Sequence, residues 1–190
     1  MELSEAIRTR RSVRKYRSEP LPERTVRELI ELAVWAPSGM NGQPWAFVVV
    51  EDGEYMKGLS GRAKKFLLDR IDKSGGRYER YTGVLSDPAF DIFYGAPVLV
   101  LIYGDRSHLT YICDCSMAAL NLMLAARDRG IGSCWIGFAT GIGNTPEVKA
   151  ELKVPEEYEL VAPVVLGYPA GPAGKGVRNE AKIISWRRGT

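Results

Sequence analysis

The sequence predicts a single α+β domain, and three features predict it. The first is a stretch, residues 109–126, in which 14 of 18 residues are apolar, all but Thr110, Asp114, Ser116 and Asn121. The second is a set of four apolar, strand-like runs at 46–50, 97–103, 131–138 and 158–167. The third is a pair of amphipathic segments that read as surface helices. At 190 residues the chain is long enough for one sizeable core.

Residues 109–126 do not carry one apolar stripe. Their apolar side chains cover nearly the whole circumference of a helix, while Asp114, Asn121 and Asp128 share one narrow polar line. A helix apolar all round is buried on all sides. The expectation is a central helix whose remaining surface is covered by a second subunit. A membrane span is excluded by Asp114 within the run and by Arg127-Asp128-Arg129 directly after it. Gly130 stops the helix. Residues 131–138 then read as a buried strand, with Gly132 and Gly137 leaving room for close approach.

The remaining elements follow in order. Leu3, Ala6 and Ile7 sit at helical spacing and predict a short helix over 2–10. Pro20 and Pro22 mark a loop, with Pro22 suited to the first turn of the next helix. Val26, Leu29, Ile30 and Ala33 form the apolar face of that helix, which stops before Pro37. Residues 54–72 form another amphipathic helix through Met56, Leu59, Ala63, Phe66 and Leu67. Residues 73–95 hold Gly75-Gly76 and five aromatics, Tyr78, Tyr81, Phe90, Phe93 and Tyr94. The stretch 60–95 reads as either a lid over a site or a satellite core. Residues 97–103 are continuously apolar, a strand buried on both faces. Asn144-Thr145-Pro146 caps a helix through Leu152. Pro163 within the run 158–167 predicts an edge strand or a bulge.

Charge and reactive residues narrow the function. The net charge is +3, from 26 basic and 23 acidic residues. That is too small to argue for nucleic acid. The acidic, helical start is not a signal peptide, so the cytoplasm is the expected location. Three cysteines, Cys113, Cys115 and Cys134, read as buried apolar thiols, and no Cys/His set has metal-ligand spacing. His108 is the only histidine. It reads as a capping or surface residue, and no nucleophile-elbow motif accompanies it.

Three polar segments remain as candidates for binding. Six of the ten residues at 8–17 are basic. They read either as an anion site, with guanidinium groups and Ser12 converging on a phosphate, or as a solvated basic face. The loop 36–45 holds two prolines, two glycines and three polar side chains, then leads into a core strand. It offers backbone and amide groups to a planar polar ligand. The tail 167–178 is glycine-rich and carries Lys175 and Arg178, without P-loop spacing. Gly141-Ile142-Gly143 is no dinucleotide fingerprint, because Pro146 occupies the third glycine position.

Four segments together resemble the FMN-dependent nitroreductase superfamily, over residues 6–186. They are Arg10-Arg11-Ser12-x-Arg14, Ala36-Pro37-Ser38-Gly39-x-Asn41-x-Gln43-Pro44-Trp45, the segment from Gly130 through Trp135-Ile136-Gly137, and Lys175 with Arg178. The resemblance implies a mixed, mostly antiparallel sheet flanked by helices and a homodimer with flavins in its interface. It implies that Arg10, Arg11, Ser12 and Arg14 hold the FMN phosphate and ribityl chain. Trp135, Ile136 and Gly137 would lie at the flavin ring. Pro37, Ser38, Gly39, Asn41 and Gln43 would form a loop at the ring edge, supplied in part by the partner subunit. Lys175 and Arg178 would close on the phosphate, although this tail is richer in glycine than the family pattern. The implied chemistry is reduction of a small molecule by NADH or NADPH through the flavin. No catalytic side chain is required, which suits a chain with one histidine. Reductive dehalogenation and non-catalytic flavin carriage are alternatives on the same fold.

Overall fold

The computed structural model describes residues 1–74, 79–172 and 174–189. Strand β2 (Val98–Asp105) lies at the centre of a four-stranded sheet, flanked by β1 (Trp45–Val50) and β4 (Tyr158–Gly167), with β3 (Gly132–Trp135) outside β4. All these strand pairs are antiparallel. A parallel bridge joins Ser12 to Ser133, so the N-terminal segment covers the outer edge of β3.

Both faces of β2 are buried, as its unbroken apolar run requires. Side chains of successive strand residues alternate between the faces. Val98, Val100 and Ile102 pack with α2 (Glu23–Ala33) and α5 (Tyr111–Asp128). Leu99, Leu101 and Tyr103 face a second cluster with Met56, Leu59 and Ala63 of α3 (Gly53–Ser74), joined by Ile92, Phe93 and Val148. The Tyr103 hydroxyl donates to the Gly143 carbonyl at 3.0 Å, so the buried phenol is satisfied.

Short helices complete the chain. They are α1 (Leu3–Thr9), α4 (Thr82–Ser86), α6 (Thr140–Gly143) and α7 (Pro146–Glu151). Thr145 caps α7, its hydroxyl accepting from the Val148 N–H, and Pro146 opens the first turn. Asn144 does other work: its amide donates to the Thr140 and Leu160 carbonyls and accepts from the Leu160 N–H. Pro22 is the residue before α2 rather than part of its first turn.

Two expectations need correction, and the two alternatives at Pro163 resolve to one. Strand β4 is internal, so the edge-strand reading of Pro163 fails. Pro163 pairs with Leu101 on one side, and its carbonyl accepts from the Ile136 N–H on the other. A strand residue's N–H and C=O point the same way, so the missing N–H falls where β3 has already ended. The register also shifts next to it, between Ile102 and Tyr103, which is the bulge alternative. The run 131–138 forms a strand only over Gly132–Trp135, because the chain turns at Ile136. Finally, Cys113 is exposed, while Cys115 and Cys134 are buried. Two positions along a helix turn the side chain about 200°, which places Cys113 on the outward face of α5.

That outward face stays apolar and uncovered in the single chain. Ile112 is 54% exposed and Leu120 46%, and Met40 in the 36–45 loop and Trp35 just before it are more exposed still. Among the described residues, no helix is long and apolar enough to cross a membrane.

Within 60–95, residues 60–74 belong to α3. Ile92 and Phe93 are buried in the main core, and Leu85 packs on Leu67 and Ile71 in a small cluster of its own. The Ile92 N–H donates to the buried Ser60 hydroxyl, and Lys64 donates to the Asp87 and Phe90 carbonyls. These bonds fasten 87–93 to α3. Gly75-Gly76 and Tyr78 lie outside the described residues.

Candidate functional site

Two segments far apart in sequence meet at the edge of β3. The Val13 N–H donates to the Ser133 carbonyl, the Arg17 N–H to Tyr168, and the Ala170 N–H to Lys15. This lacing sets 12–17 between β3 and the chain leaving β4. Gly132 is required there, since a Cβ would come within 2.9 Å of the Val13 side chain. The continuation of the tail then lies beside the basic segment. Arg10, Arg11, Ser12 and Arg14 line an open basin of about 400 Å³ together with Gly174, Lys175, Gly176, Val177 and Arg178.

The charges in this basin are not neutralised. Among the described residues, the side chains of Arg10, Arg14 and Lys175 make no hydrogen bond or ion pair. Arg178 donates only to the neighbouring Val177 carbonyl. Burial, with the like charges of Arg178 and Arg11, pushes the Arg10 pKa below its ordinary value. An anion placed here would relieve that repulsion. Arg11 is used differently. Its Nη1 donates to the Arg8 and Arg10 carbonyls at 2.7 Å each, closing the end of α1. Its guanidinium lies against Gly176, and its buried Nε has no partner.

Beneath the basin lies Cys134. Burial raises its thiol pKa, while Arg14, a hydrogen bond from Ser12 and Arg10 oppose that rise. Past Trp135 the chain leaves the sheet. The Ile136 side chain is buried in the core, so only its backbone is available to a ligand. Gly137 is exposed, with nothing within 4 Å of where a Cβ would stand. The N–H groups of Gly137 and Phe138, at the start of a short 3₁₀ turn (Gly137–Ala139), donate to no described group. The Phe138 ring meets Tyr81 edge-on at 5.3 Å. A planar ligand with acceptor atoms can approach this turn closely.

The loop 36–45 is built differently and stands elsewhere. It enters β1 at Trp45, opposite Gly104 at the far end of β2. β1 and β3 are opposite edges, three strand spacings apart, roughly 14 Å. Within one chain, the loop and the basin therefore do not meet. The loop satisfies its own polar groups: the Gln43 N–H donates to the Ser38 hydroxyl, the Gln43 amide donates to Asn41, and the Gly39 N–H donates to Asp114. Asp114 is only 2% exposed and also accepts from the Thr110 hydroxyl. It ties the loop to the first turn of α5. Met40, Asn41 and Gln43 all have positive φ, a conformation held by these bonds. Pro37 precedes the pinned turn. His108, half-exposed, lies against Gly42 and within 3.6 Å of Asp105, a surface position as expected.

Sequence reasoning missed Asp114 as the loop's anchor. It also missed the contact of Arg14 with the Tyr94 ring. The isolated acidic residue inside an apolar helix was the available signal for Asp114.

An antiparallel α+β core carries an unneutralised cationic basin at the edge of β3 and, just past the end of that strand, a turn whose N–H groups donate to no described group. The nitroreductase family model matches residues 7–168, and the chain belongs to the nitroreductase family. The crystal structure of a nitroreductase with bound FMN from Bacteroides fragilis superposes with a TM-score of 0.83, at 31% identity, covering 99% of this chain and 100% of that one. An iodotyrosine deiodinase of Thermotoga neapolitana is 30% identical, over 95% of this chain and 96% of its own. An NADH dehydrogenase of Thermus thermophilus is 27% identical, over 98% of this chain and 97% of its own.

Proposed function

We propose that this chain is an FMN-dependent oxidoreductase that takes electrons from NADH or NADPH and reduces small electrophiles such as nitroaromatics or quinones. One observation carries the reading. Unpaired cations from two segments about 160 residues apart converge on one basin beside an open, donor-bearing turn. FMN fits both parts, since its phosphate needs the cations and its ring needs a flat approach with donors at its edge.

FMN, when bound, supplies hydride transfer between the nicotinamide donor and the electrophile. The chain's residues do the rest. Arg10, Ser12, Arg14, Lys175 and Arg178 would hold the phosphate and ribityl end, and Arg11 would shape the basin from behind. Gly137 would admit the ring, and the Gly137 and Phe138 N–H groups would be available to acceptor atoms at its edge. Their fixed positive ends would favour an electron-rich ligand edge over a neutral one. Donor and electrophile use the same open face in turn, which is ping-pong exchange.

The same reading makes the protein a homodimer. Ile112 and Leu120 leave an apolar face on α5, and Met40 and Trp35 extend the exposed apolar surface. A second copy brings its Pro37-Ser38-Gly39 loop, with Asn41 and Gln43, to a site that the chain's own loop cannot reach. Reductive dehalogenation is the second reading, favoured by the deiodinase relative.

The test is the visible spectrum of the purified protein, before and after anaerobic addition of NADH or NADPH. The expected result is a flavin spectrum that bleaches with one or both donors. Reoxidation by a nitroarene or quinone then supports the first reading, and reoxidation only by a halophenol supports the second. A flavin that no nicotinamide reduces indicates a carrier. A protein that cannot be loaded with FMN overturns the assignment.

A further inference from the structure

Arg14 is exposed, unlike the half-buried Arg10 and Arg11 beside it, and has no hydrogen bond or ion pair among the described residues. It makes an aromatic contact: its Cζ lies 5.9 Å from the centre of the Tyr94 ring. Tyr94 is an unusual residue to find there. Its φ is +59°, in the left-handed region that a bulky aromatic residue rarely adopts. The following Gly95 is also left-handed.

The turn that holds Tyr94 in this state is over-determined. The Asp91 carboxylate accepts from the Phe93 N–H at 3.0 Å and from the Gly95 N–H at 2.9 Å. The Asp91 carbonyl accepts from the Tyr94 N–H. Phe93 is buried, and the Ser60 hydroxyl fixes the neighbouring Ile92 N–H. The Phe90 ring meets the Tyr94 ring edge-on at 5.8 Å. Strain that the surroundings hold this firmly points to a positioned side chain.

We propose that Tyr94 is a positioning residue for the cofactor: its strained turn presents the ring to the Arg14 guanidinium and holds that charge at the basin. This rests on the FMN reading. An unpaired arginine on a flexible stem loses rotamer freedom when it binds an anion. A ring that already holds the guanidinium in place lowers that loss, and the ring's negative face costs the arginine none of its donors. Asp91 acts one step further back, through the backbone.

The experiment is FMN titration of apoprotein, followed by quenching of flavin fluorescence, with a double-mutant cycle. Tyr94→Asn removes the ring, while asparagine tolerates positive φ. The expected result is an FMN Kd raised roughly three- to tenfold. Tyr94→Phe keeps the ring and is expected to bind FMN as the unaltered protein does. In an Arg14→Gln background, Tyr94→Asn is expected to have little further effect. The proposal is overturned if Tyr94→Asn binds FMN normally, if Tyr94→Phe loses as much as Tyr94→Asn, or if the loss is undiminished without Arg14. Should Tyr94→Asn fail to fold, Tyr94→Gly and Asp91→Asn carry the same comparison. Failure of the unaltered protein to bind FMN would instead remove the functional reading itself.

Discussion

The loop at 36–45 and the basin at 10–14 and 174–178 look alike in sequence, since both are polar, irregular and unlike the rest of the chain. In the fold they are opposites. The loop uses its polar groups on itself and on Asp114, and leaves Met40 bare. The basin leaves Arg10, Arg14 and Lys175 without a hydrogen bond or ion pair among the described residues. A segment that satisfies its own hydrogen bonds is a shaped surface, suited to meeting another protein. A segment that leaves several cations facing one hollow calls for an anion. Polarity in a sequence therefore does not distinguish a ligand site from a docking surface. The number of partners left unfilled does.

The sharpest way to break this comparison is at the basin. Charged hydrogen bonds contribute about 1.5–3 kcal/mol each. Arg10→Ala with Arg14→Ala should therefore weaken FMN binding by about a hundredfold or more, measured by titrating apoprotein with FMN. The melting temperature should change little or rise, because Arg10 is opposed by its neighbours. Normal FMN occupancy in the double variant would make the basin an ordinary basic surface.

The loop should respond in the opposite sense. Ile112→Asp with Leu120→Asp places two charges on the exposed face of α5, and sedimentation velocity should then report monomer in place of the dimer proposed for the unaltered protein. An unchanged mass would remove the second copy from the argument. Smaller, and confined to stability, is Gly39→Ala. Its Cβ would come within 2.3 Å of the Thr110 hydroxyl, which itself bonds Asp114. The expected loss is about 1–3 kcal/mol in urea unfolding, with FMN binding per folded monomer affected less than in the arginine variants.

Much of the fold was legible from local pattern. The runs that became β1, β2 and β4, the helices α2, α3 and α5, and the cap of α7 follow from periodicity, proline and glycine, because each depends on neighbours in sequence. Pro163 misled in part. Its effect depends on where β3 ends, a fact held by another strand. Cys113 misled because an apolar helix gives no sign of which face one chain can cover alone. Of the site, the cationic segment was legible as charge, but its meeting with Lys175 and Arg178 depends on the lacing of 12–17 along β3. The separate task of Arg11, bonded to the end of α1, was not legible at all, since three neighbouring arginines look equivalent until their partners are known.

The smallest expected effect concerns the two buried thiols, one beneath each region. Cys115 lies in α5 beside Asp114, under the loop, and burial together with that carboxylate pushes its pKa up to about 12. Cys134 lies under the basin, where Arg14, the Ser12 hydroxyl and Arg10 oppose the effect of burial. A thiol whose pKa is raised by folding stays neutral in the folded protein while the unfolded chain ionises. Its contribution is therefore complete below the ordinary thiol range near 9 and is lost as pH climbs from there towards about 12. Urea unfolding should show stability falling between pH 7 and pH 10.5, with about 1–2 kcal/mol of the fall due to Cys115. Cys115→Ala should shrink that difference, and Cys134→Ala should shrink it less, because the cations above Cys134 already favour its ionised form. Equal shrinkage would mean that the basin's charges do not reach the thiol below them. Binding FMN should then move the two apart or together in a predictable direction: an anion in the basin offsets Arg10 and Arg14, so the alkaline sensitivity due to Cys134 should grow on loading while that due to Cys115 stays as it was.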